Sequence, residues 1–199
     1  MKLQLEFGGW CFGRVPGALH RSCAEPCSCS AAQAERHVPD CRVTYGMCSM
    51  DCVIRKATTD DATAISVIAV AALRVSNAKD YSLEIIDRIE RSFSPLQILS
   101  FLTQREVYVA TIECNVVATA SLDGGTVRSV FVDPAYQRMG VGHRLMAAIE
   151  STAAQSGLRL LRVPSSITAE GFYYSLGFVK VRDEFHGDER TIIMEKSLS

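Results

Sequence analysis

The sequence predicts a mixed α/β fold over residues 50–199, and three observations predict it. From Cys52 onward, apolar residues recur with periods that switch between two and about 3.6. Glycine, proline and Asn/Asp clusters separate the periodic runs. Neighbouring strand-like runs meet at connections of only a few residues, as in antiparallel hairpins.

Residues 52–57 alternate as a short strand. Thr59 precedes Asp60, Asp61 and an apolar-periodic stretch over 62–75, a helix whose acidic first turn suits the positive end of its dipole. Residues 83–91 and 95–104 read as two shorter helices, the second with Pro95 in its first turn and Ser94 as its cap. Strands at 106–112 and 115–122 meet at a tight turn around Glu113–Asn115. Asp123-Gly124-Gly125 turns the chain into a strand at 126–132, which Pro134 ends. A helix is expected from about Met139 to Gln155, with Val141, Leu145, Ile149 and Thr152 or Ala153 on one face and Gly157 closing it. A buried strand at 158–163, a helix at 168–176 stopped by Gly177, and strands at 178–183 and 190–196 complete the pattern. No segment repeats another.

Composition narrows the functional classes. The chain has 199 residues, 48% hydrophobic and 22% charged, as in an ordinary globular protein. A formal net charge of -1 supplies no bulk field for nucleic acid or an anionic membrane, so neither is expected as a partner. No apolar run is read as reaching the roughly 20 residues that span a membrane. Glu6, Arg14 and His20 interrupt any secretory signal, and a cytoplasmic location is expected.

Seven of the 8 cysteines fall at or before Cys52. Cys23, Cys27, Cys29, His37 and Cys41 are zinc candidates by type, but their spacing lacks paired Cys-x2-Cys knuckles, and no metal is expected. Residues 1–49, dense in Gly, Ser, Cys and Pro, are expected to form a disordered Cys-rich extension, with the working domain over 50–199. Met47 or Met50 is an alternative start.

The strongest chemical feature spans residues 130–146, VFVDPAYQRMGVGHRLM. A strand ends at Pro134, and a loop delivers Gln137 through Gly142 into a helix. Gly140 and Gly142 lack side chains where another group has to approach the backbone. The unpaired N–H groups of a first helical turn, with the helix dipole, form an anion site that suits a pyrophosphate. Arg138, His143 and Arg144 add donors nearby. A third glycine at dinucleotide-fold spacing is missing, as is the Lys-Ser/Thr pair of a P-loop.

Residues 137–142, Gln-Arg-Met-Gly-Val-Gly, resemble the Arg/Gln-x-x-Gly-x-Gly/Ala signature of GNAT N-acetyltransferases, following a Val-x-Val-x-Pro strand as in that superfamily. Residues 172–178, Phe-Tyr-Tyr-Ser-Leu-Gly-Phe, resemble its second hallmark, and 166–169 its small bacterial branch. The resemblance covers about residues 52–196. It implies a twisted, mixed, mostly antiparallel sheet of six to seven strands, flanked by four to five helices, with the fourth and fifth strands splayed apart. It implies acetyl-CoA as cosubstrate, with no metal. Main-chain groups of Val130, Phe131 and Val132 would pair with the pantetheine arm. N–H groups across Gln137, Arg138, Met139, Gly140, Val141, Gly142 and His143 would hold the pyrophosphate. Tyr173 would protonate the leaving thiolate, and position favours it over Tyr174. The family's usual Asn after the fifth strand is replaced by Pro164-Ser165-Ser166, which leaves Ser166 or Thr168 to supply that hydrogen bond.

The general base stays open. Asp80, Tyr81, Glu113, Glu184 and His186 are candidates only because they flank loops around the expected pocket. Cys114 has no evident activating partner. Tyr81, Ile85, Ile89, Phe93 and Phe101 either wall an acceptor pocket or form helix core. The expected activity is acetyl transfer to a primary amine of a small molecule by direct attack in a ternary complex. Protein or peptide acetylation, and a non-catalytic acyl-CoA sensor, are the alternatives. A homodimer is a further possibility that the resemblance implies.

Overall fold

The structure is a computed structural model and describes residues 52–198. The zinc candidates and the expected disordered extension lie outside these residues. The elements run β1 (Val53–Lys56), α1 (Ala62–Val75), α2 (Leu83–Glu90), α3 (Pro95–Gln104), β2 (Glu106–Ile112), β3 (Asn115–Asp123) and β4 (Thr126–Val132). They continue with α4 (Val141–Gln155), β5 (Leu160–Ser166), α5 (Glu170–Ser175), β6 (Val179–His186) and β7 (Glu189–Ser197). The seven strands form one sheet in the order β1-β2-β3-β4-β5-β7-β6, antiparallel throughout except at β4–β5.

The sheet is sandwiched because its central strands are apolar on both faces. Side chains alternate along β2, so Tyr108 and Ala110 join the main core with Leu145, Met146 and Ile149 of α4. Val107 and Val109 point the other way, into a smaller core with Ile65 of α1 and Ile98 of α3. The α4 face is the one expected, with Val141, Leu145, Ile149 and Ala153 buried.

One expectation about α1 is corrected. With its flanking 3-10 turns, the helical stretch Thr59–Lys79 covers 21 residues and contains an 18-residue window of mean hydropathy 1.2, long and apolar enough to cross a membrane by those measures. Here it serves as a core helix: Ile65, Ile68, Ala69, Ala72 and Leu73 are buried, and Ser66 donates to the Phe93 carbonyl at 2.6 Å.

Among the boundaries that differ from expectation, two have a clear local cause. Helix α4 begins at Val141 because Arg138 (φ 64°) and Gly140 (φ 79°) are left-handed, which no right-handed helix accommodates. Strand β5 runs to Ser166 and includes Pro164, paired with Ile193. The Arg162 N–H donates toward β4, to the Gly125 carbonyl at 2.9 Å. Two residues on, the N–H that proline lacks would face the same side, where no β4 partner remains. A proline there forfeits no ladder bond.

The turn before α1 is fastened by a buried carboxylate. Asp61 accepts from Arg55 at 2.7 and 2.9 Å, and from the Thr58 N–H at 2.8 Å. The bonds from Arg55 chiefly hold its carboxyl down at about 2, against an opposing effect of burial. This depressed value stabilises the fold above the unfolded-state value of about 4 and is lost as pH falls through about 2. Asp61→Ala is expected to cost about 2 kcal/mol at pH 7. Denaturant titrations of variant and wild type should converge between pH 4 and pH 2; a pH-independent difference would refute the charge-based account.

Candidate active site

Strands β4 and β5 touch at only one pair, Thr126 with Arg162, and then diverge. The splay expected of the fourth and fifth strands is therefore present. A β-bulge in β4 helps create it. Thr119 pairs with Phe131 and Ser121 with Arg128, so Ser129 and Val130 together oppose Ala120. Ser129 takes the uncommon φ of 53°.

The bulge decides which main-chain groups face the gap. Asp133 N–H donates to the Val117 carbonyl on β3 at 2.9 Å. By antiparallel alternation Phe131 also bonds to β3, while Val130 and Val132 present their main-chain groups to the gap. Of the three residues expected to offer main-chain groups, Phe131 instead contributes its ring, which lines the cleft and packs edge-on against Phe93 at 4.9 Å.

The gap widens into a cleft of about 750 Å³. One end is the turn into α4. Asp133 caps the loop by accepting from the Ala135 N–H at 2.9 Å. Gln137 Nε2 donates to Ser76 Oγ at 2.9 Å and to the Val132 carbonyl at 3.2 Å, pinning the loop to the end of α1. Arg144 N–H is the first in α4 to bond backward, to the Gly140 carbonyl at 3.1 Å. Among the described residues, no N–H from Gln137 to His143 donates to a protein backbone acceptor. Arg138, Gly140, Gly142 and His143 line the cleft. Met139 is solvent-exposed and Val141 lies in the core, so each can contribute only main chain.

The two glycines differ in their reasons. Gly140 has open space around a hypothetical Cβ, and its positive φ is what calls for glycine. A Cβ on Gly142 would meet the Phe172 ring at 3.3 Å and Val132 at 3.5 Å. The close approach there is made by a neighbouring side chain. Phe172 in turn stands edge-on to His143 at 5.3 Å and to Tyr173 at 5.2 Å.

Tyr173 is 4% exposed and lines the cleft, whereas Tyr174 is 48% exposed and does not. Burial pushes the Tyr173 phenol well above its usual range, so it stays protonated at neutral pH. Ser166 lines the cleft too, its Oγ accepting from the Ala169 N–H at 3.3 Å. Thr168 donates to Asp80 at 2.6 Å. Tyr81 donates to the Arg190 carbonyl at 2.8 Å and accepts from the Ile167 N–H at 2.9 Å. Asp80 and Tyr81 thus tie the α1–α2 connection to the far side of the cleft, a structural use of both candidate bases. Glu113 and Cys114 form a left-handed hairpin turn outside the cleft, and Glu184 and His186 also lie outside its lining. Of the possible pocket-wall residues, Tyr81, Ile89 and Phe93 line the cleft; Ile85 is buried and Phe101 packs in the smaller core.

Sequence reasoning missed Glu189, which lines the cleft and pairs with Arg88 at 2.7 Å. The two lie 101 residues apart, and no local pattern links them.

The site thus lies where an otherwise antiparallel open sheet splits at its one parallel junction, beside an uncapped helical turn. A family model described as an acetyltransferase (GNAT) domain matches residues 77–198, and the chain belongs to that family. Among solved structures, a GCN5-related N-acetyltransferase from Rhodopseudomonas palustris shares 26% identity at a TM-score of 0.70, covering 77% of this chain and 100% of its own. The PaiA N-acetyltransferase from Thermoplasma acidophilum, solved with coenzyme A, shares 21% at 0.64, covering 74% and 99%. The putative acetyltransferase YncA from Salmonella typhimurium, solved with acetyl-CoA, shares 24% at 0.51, covering 74% and 94%. No curated protein sequence matches significantly.

Proposed function

We propose that this acyltransferase carries an acetyl group from acetyl-CoA to a primary amine of a small molecule, by direct attack in a ternary complex. The observation that carries the reading is the gap between β4 and β5, which joins the unpaired N–H groups entering α4 to the Tyr173 phenol. The similar structures bound to coenzyme A and acetyl-CoA support the cosubstrate. The N–H groups from Gln137 to His143 take the diphosphate, with Arg138 and His143 beside it. Val130 and Val132 pair with the pantetheine as an added strand would. The acceptor enters on the side walled by Tyr81, Ile89 and Phe93.

The neutral amine nitrogen attacks the thioester carbon and the C–S bond breaks. The departing thiolate takes the Tyr173 proton, and the proton shed by the new amide nitrogen returns through water to the phenolate. Titration calorimetry with acetyl-CoA, followed by assay of CoA release with small amines and with N-terminal peptides, tests this. Binding and release with small amines are expected. Absence of CoA binding would sink the reading; release with peptides alone would reassign the acceptor, and binding without any release would favour a sensor.

A further inference from the structure

Of the side chains lining the cleft, only that of Glu189 carries a carboxylate. It opens β7, whose ladder with β5 ends at Thr191 opposite Ser166. Glu189 therefore lies past the last rung, on the same face of β7 as Thr191, and both line the cleft. Across the β6–β7 hairpin its neighbour is His186, which does not line the cleft. From α2, outside the lining, Arg88 Nη2 donates to Glu189 Oε2 at 2.7 Å. Among the described residues, Oε1 has no hydrogen-bond partner. Nearby, the Tyr81 phenol is raised by burial and secondarily by the Glu189 charge, and its hydroxyl is already committed to main chain on both sides.

The charge along the cleft is thus divided. Arg138 and the ring donor His143 stand at the α4 turn, where a diphosphate calls for charge and donors, and Arg128, the other cation of the lining, is paired with Asp123 at 3.1 Å. The α2 side carries the lone acid, held by a cation on one oxygen while the other has no protein partner among the described residues. A carboxylate there would repel an anionic acceptor and do little for a neutral one.

We propose that Glu189 is the acceptor-binding residue, taking the ammonium of a cationic alkylamine through its unpaired oxygen while Arg88 positions it. The inference rests on the acetyl-CoA-dependent reading above, and it narrows the acceptor to amines that arrive charged; once seated, the ammonium loses one proton to water, and the neutral nitrogen then attacks. Neutral arylamines and alcohols lack the charge this site reads.

The acceptor need not be known to test this. Calorimetry would compare CoA, S-(ω-aminoalkyl)-CoA thioethers of two to four methylenes, and S-alkyl-CoA thioethers of equal length. Wild type should prefer the best aminoalkyl form over its neutral counterpart by roughly 10- to 100-fold, the yield of a hydrogen bond between charged groups. Glu189→Gln should abolish that preference with affinity for CoA itself unchanged, and Arg88→Met should weaken it without abolishing it. The proposal is overturned if no chain length shows a preference, if Glu189→Gln keeps it, or if Arg88→Met loses it as completely as Glu189→Gln. Wild type failing to bind CoA would instead sink the underlying reading, so the two failures are distinguishable.

Discussion

Replacing Tyr173 with Phe is expected to lower kcat by about 10²- to 10⁴-fold, the usual yield of a positioned general acid, with acetyl-CoA affinity nearly unchanged. The substitution is clean because the ring's environment is apolar. It stands edge-on to Phe172 and Phe178, at 5.2 and 5.6 Å, and Phe keeps both contacts. The hydroxyl has no protein hydrogen-bond partner among the described residues, so its loss strands no other polar group and thermal stability should hold or rise. The pH profile carries a second signature. Burial raises the phenol, and an acid works while protonated, so Tyr173 should impose no alkaline fall in kcat up to at least the usual phenol range. Steady-state kinetics from pH 6 to 10 check both. A Phe variant as fast as wild type would remove Tyr173 from the chemistry.

The second large effect concerns the turn into α4. Gly140→Val should raise the Kd for CoA by about 100-fold or more, since a β-branched residue resists φ of 79° and the loop must re-form with its N–H groups redirected. Gly142→Val should act differently. Its side chain displaces the Phe172 ring and disturbs the adjoining Tyr173, lowering kcat as well as affinity. Acetyl-pantetheine, which lacks the diphosphate, separates the two. Its turnover should survive Gly140→Val and fall with Gly142→Val. Equal loss of both substrates in the Gly140 variant, at unchanged circular dichroism, would mean that the turn does not grip the diphosphate.

Much of the fold was legible in the sequence because its signals are local. Pro95 with Ser94, the apolar face of α4, and the turn at Glu113 and Cys114 each depend on a few neighbouring residues. The signature from Gln137 to Gly142 was legible for the same reason, although only the structure separated the backbone demand at Gly140 from the packing demand at Gly142. Misreadings arose where pairing partners decide. Pro164 looked like the end of a strand, yet β5 passes through it because the side lacking an N–H faces a gap. Asp80 and Tyr81 looked like free loop groups, yet Thr168, Ile167 and Arg190 occupy them from more than 80 residues away.

By itself, the sequence determined the order of strands and helices and the character of the turn that opens α4, since hydrophobic period, capping and left-handed glycine are short-range properties of a chain. Tertiary structure alone decided which of Val130, Phe131 and Val132 faces the gap, that Asp80 and Tyr81 are tied across the cleft, and that Glu189 joins it. Each of these follows from strand register and burial, which bring together residues that no sequence window contains.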